Sequence, residues 1–199
     1  MVSDNPVLII KWLSMRKINS YTFITLNGFY KGANEDISWH RHGGEESEHA
    51  TQGLAGQGIL LFGRKTYEMM SSYWPTPAAT EAAPEIAKGM NSAEKIVFTR
   101  TLKKASWNNT RIISDNVVEE ITKLKKNGSK DMTVLGSGSI LTLFAENNLI
   151  DEYQFMIDPV VLGEGSTVLK NLTKKLDLKL TNSKVYKSGV ILVCYQPMQ

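Results

Sequence analysis

The sequence predicts one α/β domain. Short runs rich in β-branched and aromatic residues recur along the chain, stretches of helical spacing separate most of them, and Gly, Asn-Gly or Pro punctuates the joins. A length of 199 residues, 42% hydrophobic and 22% charged, fits a single core better than two. Strands alternating with helices build a mostly parallel sheet with helices on its faces.

Taken in order, residues 1–14 read as an N-terminal extension outside the fold, because Val7-Leu8-Ile9-Ile10 is too short for a secretory segment and Lys11-Trp12 follows instead of a cleavage site. The domain then spans 15–199. Its first, central strand runs from Lys17 to Leu26 and ends at Asn27-Gly28. A polar loop over 31–36 leads to a helix from about Glu45 to Leu54, then to a short buried strand, Ile59 to Phe62, that Gly63 ends. The helix from Lys65 to Tyr73 stops at Trp74-Pro75-Thr76-Pro77, and the alanine-rich patch 77–84 reads as a solvated loop. Strands follow at 95–99 and 112–113, a helix at 117–124 stopped by Asn127-Gly128, a strand at 132–135 and a helix from Ile140 to about Glu146. The last third changes character. Runs at 152–162, 176–184 and 190–196 predict antiparallel additions to the parallel core.

The charge of +3 arises from 23 basic and 20 acidic residues spread along the chain, which argues against nucleic acid as the main partner. No run approaches the roughly 20 apolar residues of a membrane span, so the expected location is cytoplasmic. The only cysteine, Cys194, lies in an apolar strand and excludes a disulfide framework.

In open α/β sheets ligands bind beyond the carboxyl ends of the strands, where the next helix offers unpaired N–H groups and the positive end of its dipole. Three strand ends are built for this purpose: Gly63-Arg64-Lys65-Thr66, Thr99-Arg100-Thr101 and Gly136-Ser137-Gly138-Ser139. Each supplies close backbone approach, hydroxyls or a cation, and together they predict a phosphate-bearing nucleotide as ligand. The Gly136 segment is not a Rossmann fingerprint, since Leu141 stands where the third glycine belongs.

Five segments, in order, resemble the dihydrofolate-reductase-like proteins, and within them the reductase domain related to the C-terminal part of bacterial riboflavin-biosynthesis proteins. They are Ile24-Thr25-Leu26-Asn27-Gly28-Phe29, Asp36-Ile37-Ser38-Trp39, Leu61-Phe62-Gly63-Arg64-Lys65-Thr66-Tyr67-Glu68, Val134-Leu135-Gly136-Ser137-Gly138-Ser139-Ile140 and Pro159-Val160-Val161-Leu162-Gly163-Glu164-Gly165. The resemblance covers roughly residues 15–197 and implies a three-layer fold with a mixed, mostly parallel central sheet between helices. It implies NADPH as cofactor, with Arg64, Lys65 and Thr66 near the phosphates and Thr99 and Arg100 at the adenosine 2′-phosphate. Gly136, Ser137, Gly138, Ser139 and Ile140 would cradle the pyrophosphate, and Thr22 and Phe23 would lie beside the nicotinamide. A homodimer formed through the late strands is implied as well.

Hydride transfer also needs an oriented acceptor and often a proton donor. The resemblance implies a carboxylate projecting into the pocket from the helix before the Gly-Arg strand; Glu48 is the nearest candidate, with Glu45 and Glu46 behind it, and the competing reading is a set of solvated carboxylates at a helix N-terminus. Asn27 stands where the related turn usually has aspartate, and is either a substrate contact or the keeper of an Asx turn. Trp39 and Tyr67 are candidate walls of the substrate pocket, and Tyr67 fits a core position equally. Trp74 and Trp107 read as caps over the sheet edge. His40, His42 and His49 match no closed ligand pattern, so no metal is expected. The function predicted is an NADPH-dependent reductase acting on a small heterocyclic or ribosyl molecule. The alternatives are a non-catalytic binding protein that keeps the cofactor cleft and a scaffold without nucleotide.

Overall fold

A computed structural model describes residues 16–41, 43–56, 58–127 and 130–198. The expected extension 1–14, His42 and the Gly128 half of the helix stop lie outside them. Ten strands and six α-helices follow one another as β1 (Ile18–Thr25), β2 (Phe29–Lys31), α1 (Gly44–Ala55), β3 (Ile59–Gly63), α2 (Arg64–Tyr73), α3 (Pro77–Ala82), α4 (Pro84–Ser92), β4 (Glu94–Phe98), β5 (Thr110–Ile113), α5 (Val117–Lys126), β6 (Met132–Leu135), α6 (Gly138–Glu146), β7 (Glu152–Asp158), β8 (Ser166–Thr167), β9 (Leu178–Val185) and β10 (Ile191–Pro197).

Eight strands form one sheet in the order β5-β4-β3-β6-β1-β7-β10-β9, while β2 and β8 pair separately. Parallel pairing links β5 through β7, and β10 is antiparallel to both of its neighbours. The expected antiparallel additions hold for β9 and β10, which pair antiparallel, whereas β7 lies parallel beside β1 and belongs to the parallel core. β7 also ends at Asp158, four residues before the predicted limit, and the chain through Leu162 leads to β8 instead.

Alternation along each strand builds the three layers. Ile59, Leu61, Ile96 and Phe98 pack on one face with Ile121 of α5 and Leu141 and Phe144 of α6. Leu60, Phe62 and Val97 pack on the other with Tyr67 of α2 and Met90 of α4. A third cluster, Met156, Tyr186, Val190, Leu192 and Cys194, fills the far end of this second face beside Tyr21 and Phe23. Cys194 is buried there as a strand residue.

The patch 77–84 is not a solvated loop. It opens two helices, each with proline in its first turn, where the missing N–H removes no helical bond. Thr76 Oγ1 caps α3 by accepting from Ala79 N at 3.2 Å, and Ala79, Ala87 and Met90 are buried. Trp107, read as an edge cap, is likewise core: it packs in the second cluster and its ring N–H donates to Asn91 at 2.7 Å.

Candidate active site

One cleft of about 1640 Å³ runs along the carboxyl ends of the central strands and continues beneath α1. Its shape follows from topology. β6 is inserted between β1 and β3, which brings the corner after β6 against the corner after β3. Gly63 N donates to Ser137 Oγ at 2.7 Å and locks the two together. Gly136 and Ser137 take successive left-handed conformations, φ 53° and 57°, to turn from strand into helix. The next residue is crowded in a different way: a Cβ on Gly138 would lie 3.0 Å from the Tyr30 ring.

Gly63, Arg64, Lys65, Thr66, Thr99, Arg100, Thr101, Gly136, Ser137, Gly138, Ser139 and Ile140 all line this cleft, as do Thr22 and Phe23 of β1. The three corners that lie far apart in sequence therefore share one concave surface. A fourth corner was missed. Ser114, Asp115 and Asn116 after β5, with the first turn of α5, line the same cleft. Ser, Asp and Asn ahead of a helical pattern were the available signal.

The helices α2, α5 and α6 each begin without a side-chain cap, and the first turn of each lines the cleft. The leading amides of a helix have no partner within it. Three helix N-termini without side-chain caps thus face one groove. At Thr99 the hydroxyl oxygen accepts from Thr101 N at 3.2 Å and Leu102 N at 3.1 Å, which shapes the turn that carries Arg100. Arg100 is exposed, with Nε 3.8 Å from the Asp115 carboxylate. Lys31 and Lys65 bracket Glu35 at 2.5 and 2.9 Å, and these hydrogen bonds hold its carboxyl below the usual range. Arg64 pairs with Glu68 at 2.8 Å. Each of these cations thus already faces a carboxylate.

The remaining sequence candidates lie elsewhere. Glu48 is exposed and borders a separate groove with Arg41, Lys187 and Ser188. Glu46, two residues earlier, is the buried carboxylate of α1; it accepts from the Ser188 hydroxyl and borders that same groove. Asn27 does not line the cleft either. Its Oδ1 accepts from Thr25 Oγ1 at 2.8 Å and Leu162 N at 3.3 Å, while Nδ2 donates to Leu162 O at 2.8 Å, so the amide clips the β1–β2 turn to the segment after β7. Tyr67 is core, 2% exposed, and its hydroxyl accepts from Trp107 N at 3.0 Å. Trp39 stays outside the cleft, edge-on to His40, with its ring N–H donating to Asp36 O at 3.2 Å. Trp74, by contrast, lines the cleft.

Of the histidines, His40 is buried 2.7 Å from Asp158 and stacks on Phe23 with centroids 3.5 Å apart. His49 lines the cleft, and burial, aided by Lys184, pulls its imidazole below the ordinary value. Among the described residues no three His, Cys, Asp or Glu side chains come together as metal ligands.

A mostly parallel sheet between helices, with a groove of glycine corners at the strand ends, is the dihydrofolate-reductase-like class of α/β protein. Residues 16–192 match the model of the RibD C-terminal domain, and the chain belongs to that family. It is similar to the uncharacterised protein YyaP of Bacillus subtilis (strain 168), 33% identical over 92% of this chain and 96% of that one. Among solved structures it is similar to a Shewanella sp. PV-4 protein provisionally assigned to riboflavin biosynthesis, with TM-score 0.72, 18% identity and coverage of 92% and 99% of the two chains. It also resembles the diaminohydroxyphosphoribosylaminopyrimidine deaminase/5-amino-6-(5-phosphoribosylamino)uracil reductase of Thermotoga maritima, with TM-score 0.65 and 15% identity, covering 92% of this chain and 57% of that one.

Proposed function

We propose that this protein is an NADPH-dependent reductase that delivers hydride to a small heterocyclic or ribosyl acceptor of pterin, pyrimidine or aminouracil type. One observation carries the reading: three uncapped helix N-termini and four basic side chains, Lys31, Arg64, Lys65 and Arg100, converge on a cleft that continues past Phe23 to an uncharged floor beneath α1. A dinucleotide is the ligand whose charge sits at one end and whose reactive ring reaches the other. Family membership adds support, since its solved relatives include an aminouracil reductase.

When bound, the nicotinamide supplies the hydride; the acceptor carbon takes it, and the adjacent nitrogen or oxygen takes a proton. The chain's own part is to bind and orient. Arg64, Lys65 and Thr66 would hold phosphates, Ser137 to Ile140 the pyrophosphate by backbone amides, and Arg100 with Thr99 the 2′-phosphate. Phe23, fixed by its stack on His40, would form the wall beside the reacting ring. Trp74 in the cleft is a natural reporter. NADPH should quench its fluorescence saturably, and NADPH absorbance should fall on addition of a pterin or pyrimidine acceptor. Absence of any quenching would overturn the reading.

A second reading is a binding protein without turnover. It is favoured by the sheet floor beneath α1, which presents Asn19, Tyr21, Thr133 and Gln154 but no carboxylate among the described residues. Quenching by NADPH with no consumption across the acceptor panel would select it. We also propose that the protein acts as a homodimer in the cytoplasm.

A further inference from the structure

The two corners nearest the β5 edge of the sheet meet in register. β4 and β5 run parallel with Phe98 opposite Ile113, and Thr99 N donates to Ile113 O at 3.0 Å just past that last pair. Arg100 and Asp115 each stand two residues beyond it, and both line the cleft. Their side chains face each other, with Arg100 Nε 3.8 Å from Asp115 Oδ1. The other carboxylate oxygen, Oδ2, accepts from the Ser114 hydroxyl at 2.9 Å. Asp115 is thus placed by register and by its own neighbour, yet its side chain is 70% exposed and that of Arg100 is 84% exposed. Both remain open to a ligand in the groove.

This juxtaposition sets two opposed recognition groups at one point. A guanidinium favours the 2′-phosphate of NADPH, whereas a carboxylate accepts a hydrogen bond from the free 2′-hydroxyl of NADH and repels a phosphate. The pyrophosphate assigned to the Gly136 corner is common to both dinucleotides and cannot discriminate between them. Nor do the charges of the cleft as a whole. Among the described residues its four basic side chains are matched by four carboxylates, Glu35, Glu68, Asp115 and Glu119, and Glu119 also pairs with Lys123 at 2.8 Å. A lining of one sign would draw the more highly charged dinucleotide from a distance. A balanced one leaves the preference to the groups that touch the 2′-position. An exposed ion pair contributes little by itself, so a ligand can part Arg100 from Asp115 easily. The carboxylate then stays beside whatever Arg100 holds.

We propose that Asp115 is a specificity-determining residue: it accepts from the ribose 2′-hydroxyl of NADH, weakens the hold of Arg100 on the 2′-phosphate of NADPH, and so opens the cleft to both dinucleotides. This rests on the reductase reading for the class of ligand. It goes beyond that reading because NADH becomes a cofactor whose affinity lies within about ten-fold of that of NADPH, the ratio that one exposed charge-assisted contact supplies before Asp115 offsets it. A carboxylate a few ångströms from a dianion in a solvated corner changes affinity by about five-fold at low salt, and the effect fades as the Debye length shrinks.

The test titrates the full chain with NADPH and with NADH, read by Trp74 fluorescence and by calorimetry, at about 0.02 M and about 0.5 M salt. Wild type should bind the two with dissociation constants within about ten-fold of each other. Asp115→Asn keeps the size of the side chain and its contact with Ser114 while removing the charge. At low salt it should tighten NADPH about five-fold and weaken NADH about three-fold, and most of the gain for NADPH should vanish at the higher salt. Its melting temperature should stay near wild type, because the pair is exposed. A wild-type preference for NADPH of more than about ten-fold, or an unchanged ratio of the two constants in Asp115→Asn, would overturn the proposal and leave the reductase reading intact. Absence of binding by either dinucleotide would overturn both.

Discussion

At the scale of single residues, the site depends on which of several similar side chains points into the cleft. Glu46 and Glu48 are two positions apart, a rotation of about 200° on a helix, so one is buried against Ser188 and the other is solvated. Arg100 lines the cleft at the end of β4, with Asp115 at 3.8 Å. Arg100→Ala should weaken NADPH roughly ten-fold, the lower end for a charge-assisted contact on an exposed side chain, and leave NADH unchanged in a fluorescence titration. Equal loss for both would show that this guanidinium does not read the 2′-phosphate. Asn27 uses its donor and its acceptor on the two backbone groups of Leu162, which an aspartate cannot do. Asn27→Asp should lower unfolding stability by about 1 kcal/mol in urea titration, with NADPH affinity retained.

At the scale of elements, α4 is tied to the sheet by a buried lysine. Lys95 Nζ donates to Asn91 O at 3.1 Å, Ala93 O at 2.7 Å and Asn108 O at 3.2 Å and lies 4.5 Å from the Trp107 ring centroid. It satisfies the carbonyls at the end of α4 and joins them to the loop before β5. Lys95→Met should cost about 2–3 kcal/mol, read by chemical denaturation, because three carbonyls lose a charged donor. Burial pulls this ammonium from 10.5 down to about 8. The unfolded chain thus holds the proton longer than the folded one between those values, and stability gains from this group as pH rises through that window. Below about pH 8 the burial cost is fully present. The wild-type advantage over Lys95→Met should therefore widen from pH 8 to 10.5. A flat difference would place the ammonium in its ordinary range.

At the scale of the whole molecule, the sheet has one long edge, β9, whose outward residues are mostly exposed. Leu180, Val185 and Ile191 stand out of the surface there, 50%, 71% and 37% exposed. The run Tyr153 to Ile157, by contrast, is paired on both sides within the sheet. A self-complementary contact between two such edges buries both. Sedimentation should give twice the chain mass, and Leu180→Lys with Val185→Lys should give the monomer; a monomeric wild type would end the dimer proposal.

Local chemistry was enough to read much of this from the chain. Alternating runs marked the long strands, glycines marked the strand ends, and the order of the Gly63 and Gly136 corners identified the family, because each of these is set by neighbours within a few residues. The tract 77–84 misled since alanine and proline are scored by composition in a loop, whereas burial of Ala79 and a proline at the first helical position depend on what α3 and α4 pack against. Tyr67 misled for the same reason: its helix lines the cleft with one face and the core with the other, and only the sheet beneath decides which face it is on. The sequence by itself determined most of the long strands and helices, the class of fold and the glycine corners at the strand ends. Tertiary structure alone decided that β6 enters between β1 and β3, that four corners share one groove, and that α1 spans the sheet over unpaired Asn19 and Tyr21. Those are contacts between residues tens of positions apart in the chain, and no local pattern encodes them.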